Sequence, residues 1–276
     1  MSQIPEGIAV ADSVTKLGPE HKDRVLICAS HGGVYAGYLA AKARVRGVIL
    51  NDAGVGMDEA GIGGLRYLDE VGLPAATIAC MSARIGDGDD TAQRGVISFA
   101  NARANALGCA AGMGASDAAL AMRAAPAFVG EAPAYAEARF LLWEEPGLPK
   151  VWGVDSASLV KPEDAGQIVI TASHGGLLGG QPKTALAVEA LAAAFNDAGV
   201  GRDEAGISRL PALDQRGIIA VTVDCRTARI GDARSSWQTG RISHLNAGAK
   251  RAGVEVGMSL NDYVACLRRA RQARSG

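Results

Sequence analysis

Residues 24–33 read Arg-Val-Leu-Ile-Cys-Ala-Ser-His-Gly-Gly, and residues 167–176 read Gln-Ile-Val-Ile-Thr-Ala-Ser-His-Gly-Gly. Beyond its first residue, each is a largely apolar stretch of strand length that stops at a histidine and two glycines. Such uninterrupted runs suit strands covered on both faces, the situation of a parallel sheet. The pentapeptide Ala29-Ser30-His31-Gly32-Gly33 returns 143 residues later as Ala172-Ser173-His174-Gly175-Gly176. The same ending on two such strands predicts an internal repeat, and a repeat decides the architecture.

The match extends outward in constant order. Asp12-Ser13 returns as Asp155-Ser156, and Asn51-Asp52-Ala53-Gly54-Val55-Gly56 returns as residues 196–201. Residues 58–62 return as 203–207, and Ala83-Arg84-Ile85-Gly86-Asp87 returns as 228–232. Ile97-Ser98, Asn101 and Asp117 return as Ile242-Ser243, Asn246 and Asp262. The offset grows from 143 to 145 after the histidine block, so the second unit gained two residues there. The expected organisation is a first α/β unit over 1–124, a connecting segment over 125–150, and a second α/β unit over 151–276. Pro126, Pro133, Pro146 and Pro149 punctuate the connector. Its middle, Tyr135 to Glu145, is expected to form a short helix.

Within each unit, strands and helices alternate. Gly47 to Asn51 and Leu191 to Asn196 form a second pair of strands, and Ala75 to Cys80 and Ile218 to Asp224 a third. Ile62, Leu65, Leu68 and Val71, matched by Ile207, Leu210 and Leu213, are spaced for one face of a helix. Asp58-Glu59 and Asp203-Glu204 are placed in its first turn, where the helix dipole favours acids. Gly72 and Gly217 stand where a helix-ending glycine belongs. A further helix is expected after Gly95 and Gly240, with Ser98 and Asn101, and likewise Ser243 and Asn246, on one face of it. The resulting fold class is α/β, a tandem duplication giving two homologous, pseudo-two-fold-related halves with mostly parallel sheet.

The chain's 276 residues are 48% hydrophobic but only 4% aromatic, so its cores must be built from Ala, Val, Ile and Leu. A net charge of −1 gives no electrostatic reason to expect nucleic acid or an anionic membrane as partner. The basic run from Arg268 to Arg274 reads as a solvated helix end. No secretory signal or membrane-spanning run is visible. Five scattered cysteines, none in a Cys-x-x-Cys pair, read as reduced thiols in a cytoplasm. Motifs for nicotinamide binding, a hydrolase nucleophile elbow or a zinc protease are absent. Neither a cofactor nor a metal is expected, and a homo-oligomer is left open.

Ligands of open parallel sheets bind beyond the carboxyl ends of the strands, and the repeated polar residues fall there. His31 and His174 are the candidate acid–base groups. Gly32, Gly33, Gly175 and Gly176 are expected to offer backbone N–H groups to a ligand. Arg84 and Arg229 carry a fork suited to carboxylate or phosphate, although Asp87 and Asp232 stand three residues on as local partners. Asp52 and Asp197 are candidate bases or turn-formers. Asn51, Asn196, Ser82 and Thr227 complete the set of substrate contacts. Two features belong to the second half alone. Lys183 follows a glycine-rich stretch that lacks the phosphate-loop spacing, and His244 stands where the first half has Phe99. Lys183 is a candidate to activate a nucleophile or bind an anion.

Cys80 and Cys225 also match across the repeat, each closing the third strand. One thiol per half, facing each other across a cleft, resembles the aspartate/glutamate racemase type, which also pairs two α/β halves. That resemblance implies a two-base reaction with one thiolate removing a proton and the other thiol returning one. The His-Gly-Gly and Ala-Arg-Ile-Gly-Asp blocks lie outside that pattern. The leading expectation is therefore a cofactor-independent enzyme acting on a small anionic polar metabolite between the halves, hydrolysis favoured. The racemase or isomerase reading and a non-catalytic small-molecule binder are the alternatives. In a further reading, the repeated polar residues only stabilise turns and the contact between halves.

Overall fold

The computed structural model describes residues 4–275. The first half runs β1 (Ile8–Ala11), β2 (Val25–His31), α1 (Val34–Lys42), β3 (Gly47–Asn51), α2 (Gly63–Glu70), β4 (Ala75–Ile78), α3 (Gly88–Arg94), β5 (Ile97–Ala100), α4 (Ala102–Ala106) and α5 (Ala115–Met122). The rest runs β6 (Arg139–Trp143), β7 (Val151–Val154), β8 (Ile168–His174), β9 (Ala192–Asn196), α6 (Arg209–Gln215), β10 (Ile219–Val223), α7 (Ala233–Thr239), β11 (Ile242–Leu245), α8 (Ala247–Arg251) and α9 (Leu260–Ser275). The protein is thus α/β, with two mixed sheets ordered β1-β2-β3-β4-β5 and β11-β10-β9-β8-β7-β6. Strands β1 to β4 are parallel and β5 antiparallel, while β7 to β10 are parallel between antiparallel edges β6 and β11. Among the described residues, no helix is long and apolar enough to cross a membrane.

The apolar runs are continuous because both sheet faces are covered. Leu26, Val48 and Leu50 pack under α1 and α2, while Val25, Ile27 and Ile49 pack against α5 on the other face. In the second sheet, Ile168, Ile170 and Val221 meet Tyr263 and Leu267 of α9, and Val169, Ala193 and Phe195 meet Leu210 and Leu213 of α6. The predicted stripe is this contact: Leu65 and Leu68 are buried, as are Leu210 and Leu213.

Four expectations are corrected. Tyr135 to Glu145 is not a helix: its residues 139–143 form edge strand β6, which zips antiparallel onto β7. The elements directly after Gly95 and Gly240 are not helices but the strands β5 and β11. Ser98 therefore lies on a strand, its Oγ 3.1 Å from Thr77 Oγ1, while Asn101 caps α4. Asp58-Glu59 and Asp203-Glu204 precede their helices, in 3-10 turns where all four take positive φ. Finally, β1 and β7 add a parallel strand ahead of the ones read as first.

Asn101 and Asn246 have one job each. Asn246 Oδ1 accepts from Ala249 N–H at 2.9 Å and Ala220 N–H at 3.2 Å, and its Nδ2 donates to Ile218 at 2.8 Å. Asn101 does the same with Ala104, Ala75 and Leu73. Each ties a helix start to the beginning of the neighbouring strand. We predict that Asn246→Ala lowers stability by about 2 kcal/mol, from a lost cap and an orphaned buried N–H. Urea unfolding checks this; a loss under about 0.5 kcal/mol, ordinary for a surface change, refutes it.

The two halves differ most after the histidine. Val34 onward forms α1, whereas Leu178–Gly180 and Pro182–Thr184 are 3-10 turns. Gly179 and Gly180 take positive φ, and a proline stands two residues on, so no helix propagates there. The partner surface differs to match. An added Cβ on Gly64 would come within 2.7 Å of the carbonyl oxygens of Gly32 and Gly33, so only glycine lets α2 approach that loop. Arg209 stands at the matching place in α6. It is 4% exposed and donates to the carbonyls of Gly176 at 2.9 Å and Ala185 at 2.6 Å.

Candidate functional site

The carboxyl ends of the two sets of parallel strands meet. The turn after β3 lies against the turn after β9 with glycine on glycine: an added Cβ on Gly54 would be 2.8 Å from Gly199 Cα. Met57 N–H donates to Cys225 O at 2.8 Å, and Arg202 N–H donates to Cys80 O at 2.9 Å. Ala53, Ile85, Ala198, Ala205 and Ile230 form a small apolar core across the junction. Charged pairs close its rim: Arg229 holds Asp58 at 2.7 Å, and Arg94 reaches Asp203 at 3.5 Å.

The junction gathers most of the predicted residues and commits many of them. Asp52 Oδ1 accepts from Gly54 N–H and Cys80 N–H, and Asp197 Oδ1 from Gly199 N–H and Cys225 N–H, all at 2.9–3.0 Å. Asn51 and Asn196 hold Ala53 N–H and Ala198 N–H at 2.9 Å. Ser82 and Thr227 bridge their own loops to Val96 and Arg241. Arg84 is taken by Asp87 and Asp90, and Arg229 by Asp58 and Asp232. The glycine N–H groups expected to face a ligand are spent inside the loop. Gly32 and Gly175 donate to the carbonyls of Asn51 and Asn196, and Gly33 and Gly176 donate to the preceding histidines. Lys183 is exposed on its 3-10 turn.

The histidines are what the loops leave over. Nδ1 of His31 accepts from Gly33 N–H, and Nδ1 of His174 from Gly176 N–H, each at 3.1 Å. An acceptor at Nδ1 fixes the neutral tautomer with its proton on Nε2. Among the described residues, no group pairs with either Nε2. Burial lowers His31 to about 4. His174 is driven well below the usual histidine range by burial, by the Arg209 guanidinium and by His31. Both imidazoles are therefore neutral N–H donors at neutral pH. The rings reach across the junction: His174 Cε1 lies 3.5 Å from a Cβ built on Gly86, and His31 Cε1 lies 3.6 Å from one built on Gly231.

Arg209 is the residue that sequence reasoning missed. Burial lowers it to about 10, so it stays charged at neutral pH. Among the described residues no carboxylate pairs with it, and its partners are two carbonyls and the ring of Phe195. The signal for it was present as a mismatch, arginine against Gly64 inside an otherwise matching stripe.

The thiols sit between the turns. Burial and Asp52 push Cys80 up to about 11, and burial, Asp197 and Asp224 push Cys225 up to about 12. Neither is poised as a thiolate nucleophile or base. Surface cavities of about 710 Å³ and 600 Å³ lie elsewhere, and none of the junction histidines or arginines lines them. No protein family, curated protein or solved structure matches the chain, so its reading rests on this geometry.

Proposed function

We propose that the chain is a tandem duplication whose halves are related by an approximate two-fold axis, and that their junction binds a small anionic metabolite and hydrolyses it. The observation that carries this reading is the uncompensated buried cation Arg209 beside His174. A buried guanidinium without a counter-charge favours an incoming anion. Two Nε2–H donors supply hydrogen bonds to a carbonyl or carboxylate oxygen. Neutral imidazoles cannot take a proton at Nε2, so they polarise the substrate rather than act as bases. The remaining base is a carboxylate, Asp52 or Asp197, whose Oδ2 is not held by a backbone N–H. Arg229 ties the junction through Asp58, Arg84 is held by Asp87 and Asp90 of its own half, and Lys183 is exposed on its 3-10 turn.

A second reading, binding without turnover, draws support from the same fixed tautomer, because neither junction imidazole has a nitrogen open to accept a proton. The raised thiols count against the two-cysteine racemase.

Thermal-shift measurements against small carboxylates, cyclic amides, amino acids and phosphates test the proposal. One anionic class is expected to stabilise the protein by about 2.7 kcal/mol at a hundred times its Kd. His31→Phe and Arg209→Met are expected to abolish that shift. Product analysis on the same class separates hydrolysis from binding alone. If no anion stabilises the wild type, or the His31 variant responds equally, the site is not at the junction.

A further inference from the structure

A cavity of about 710 Å³ opens in the second half, between α6 with the turn before it and the edge strand β11. Its volume is that of a small-molecule site. Ile207, Leu210 and Val256 give it an apolar wall, and its charged lining is all acidic: Asp203, Glu204 and Asp214. Among the described residues, no lysine or arginine lines it. Asp214 Oδ1 accepts from Gly248 N–H at 2.8 Å, and Asp203 is shared with Arg94 at 3.5 Å and Arg202 at 4.0 Å. Glu204 has no ion-pair partner among the described residues.

His244 also lines the cavity, and its Nδ1 is sealed from solvent without a hydrogen-bond partner. No group of the described chain fixes its tautomer, so either ring nitrogen can carry the proton. The residues that line the cavity differ in part from their counterparts in the first half. Ile207, Leu210, Asp214 and Ser243 all have identical counterparts at Ile62, Leu65, Asp69 and Ser98. Five lining positions differ, among them Pro211 in place of Arg66 and His244 in place of Phe99. Arg66 is an exposed cation paired with Glu70, and Phe99 is an exposed ring. The exchange removes a positive charge and an apolar ring from the same groove and adds a hydrogen-bonding group.

We propose that this cavity binds a small organic cation, an ammonium carried on an apolar body. The carboxylates of Glu204 and Asp214, neither in an ion pair among the described residues, supply the counter-charge, the apolar wall takes the body, and His244 hydrogen-bonds the ligand. The cavity borders the junction at Asp203 but is lined by neither junction histidine nor Arg209, and it does not depend on the reading given to the junction.

The test is calorimetric titration of the full chain with phenethylamine, with the isosteric anion 3-phenylpropionate as control. Saturable binding of the amine but not the acid is expected, weakening as salt is added. Pro211→Arg, which restores the first half's cation, is expected to weaken the amine about fivefold, the effect of a like charge about 4 Å away at a solvated position. His244→Phe is expected to weaken it as well. Melting curves of both variants confirm that they fold, and Glu204→Gln provides an exposed substitution that leaves the core intact. Failure of the amine to bind, equal binding of the acid, or unchanged affinity in Pro211→Arg and Glu204→Gln overturns the proposal.

Discussion

Replacing Gly199 by alanine is expected to remove more than about 4 kcal/mol of stability, placing it among the exceptional single substitutions. Two costs combine. Gly199 has φ +72°, a left-handed conformation that costs an L-residue about 1–2 kcal/mol. The new methyl would then sit 2.9 Å from Gly54 Cα and 3.3 Å from Cys80 Sγ. Neither neighbour is the loose end of a flexible side chain, so relief requires the two turns to part. Parting them breaks the Met57–Cys225 and Arg202–Cys80 backbone bonds that fasten the junction. Gly217→Ala supplies the control: φ is +71° but nothing lies within 4 Å of the added methyl. It should cost only about 1 kcal/mol. Urea unfolding of both variants decides the matter, and equal losses would mean that the junction is loosely packed.

The second large effect is the response to acid. The folded pKa of His31 is lowered to about 4, whereas the unfolded chain titrates near 6.5. Between those values the unfolded state binds the proton and the folded state does not. Stability contributed by His31 is therefore complete above pH 6.5 and lost as pH falls towards 4, by about 3 kcal/mol. His174 adds a loss in the same direction. One group opposes them. Burial and the neighbouring Asp155 carboxylate raise Glu137 to about 7. Its folded form takes up a proton before its unfolded form does, so stability rises as pH falls from 7 to 4.5. In the wild type Glu137 offsets only one of the two histidines, so stability should still fall moderately from pH 6.5 to 4.5. In Glu137→Gln the offset is gone, and stability should fall by several kcal/mol over that range. Titrating the histidine ring protons by NMR gives an independent reading. A midpoint for His31 near 6.5 would show that the ring is hydrated and the junction open.

Burial decides how much of the fold the amino-acid pattern discloses. Strands β2, β3, β8 and β9 are covered on both faces, so their apolar runs identify them. The α2 and α6 stripes are readable because they pack on those same strands. Edge strands are a different matter. Strand β6, Arg139-Phe-Leu-Leu-Trp, sits among Ala, Glu and Leu residues that favour helix. Only its pairing with β7 makes it a strand, and a pairing partner is not a local property. Strands β5 and β11 read as helix for the same reason. At the junction, the histidines and aspartates stand out because they recur. Arg209 does not, because its importance comes from the helix missing beside it and from the lack of a carboxylate at its head among the described residues.

That lone guanidinium also breaks the equivalence of the junction. His31 and His174 close their loops in the same way, yet only His174 has a fixed positive charge at its back. The electric potential between the rings is therefore a slope, not a symmetric well. A ligand with unlike ends would seat its negative end towards the second half and its neutral end towards the first. On the proposed reading, two faces that repeat one another in sequence would form a site with a direction, set by a single residue without a counterpart in the first half.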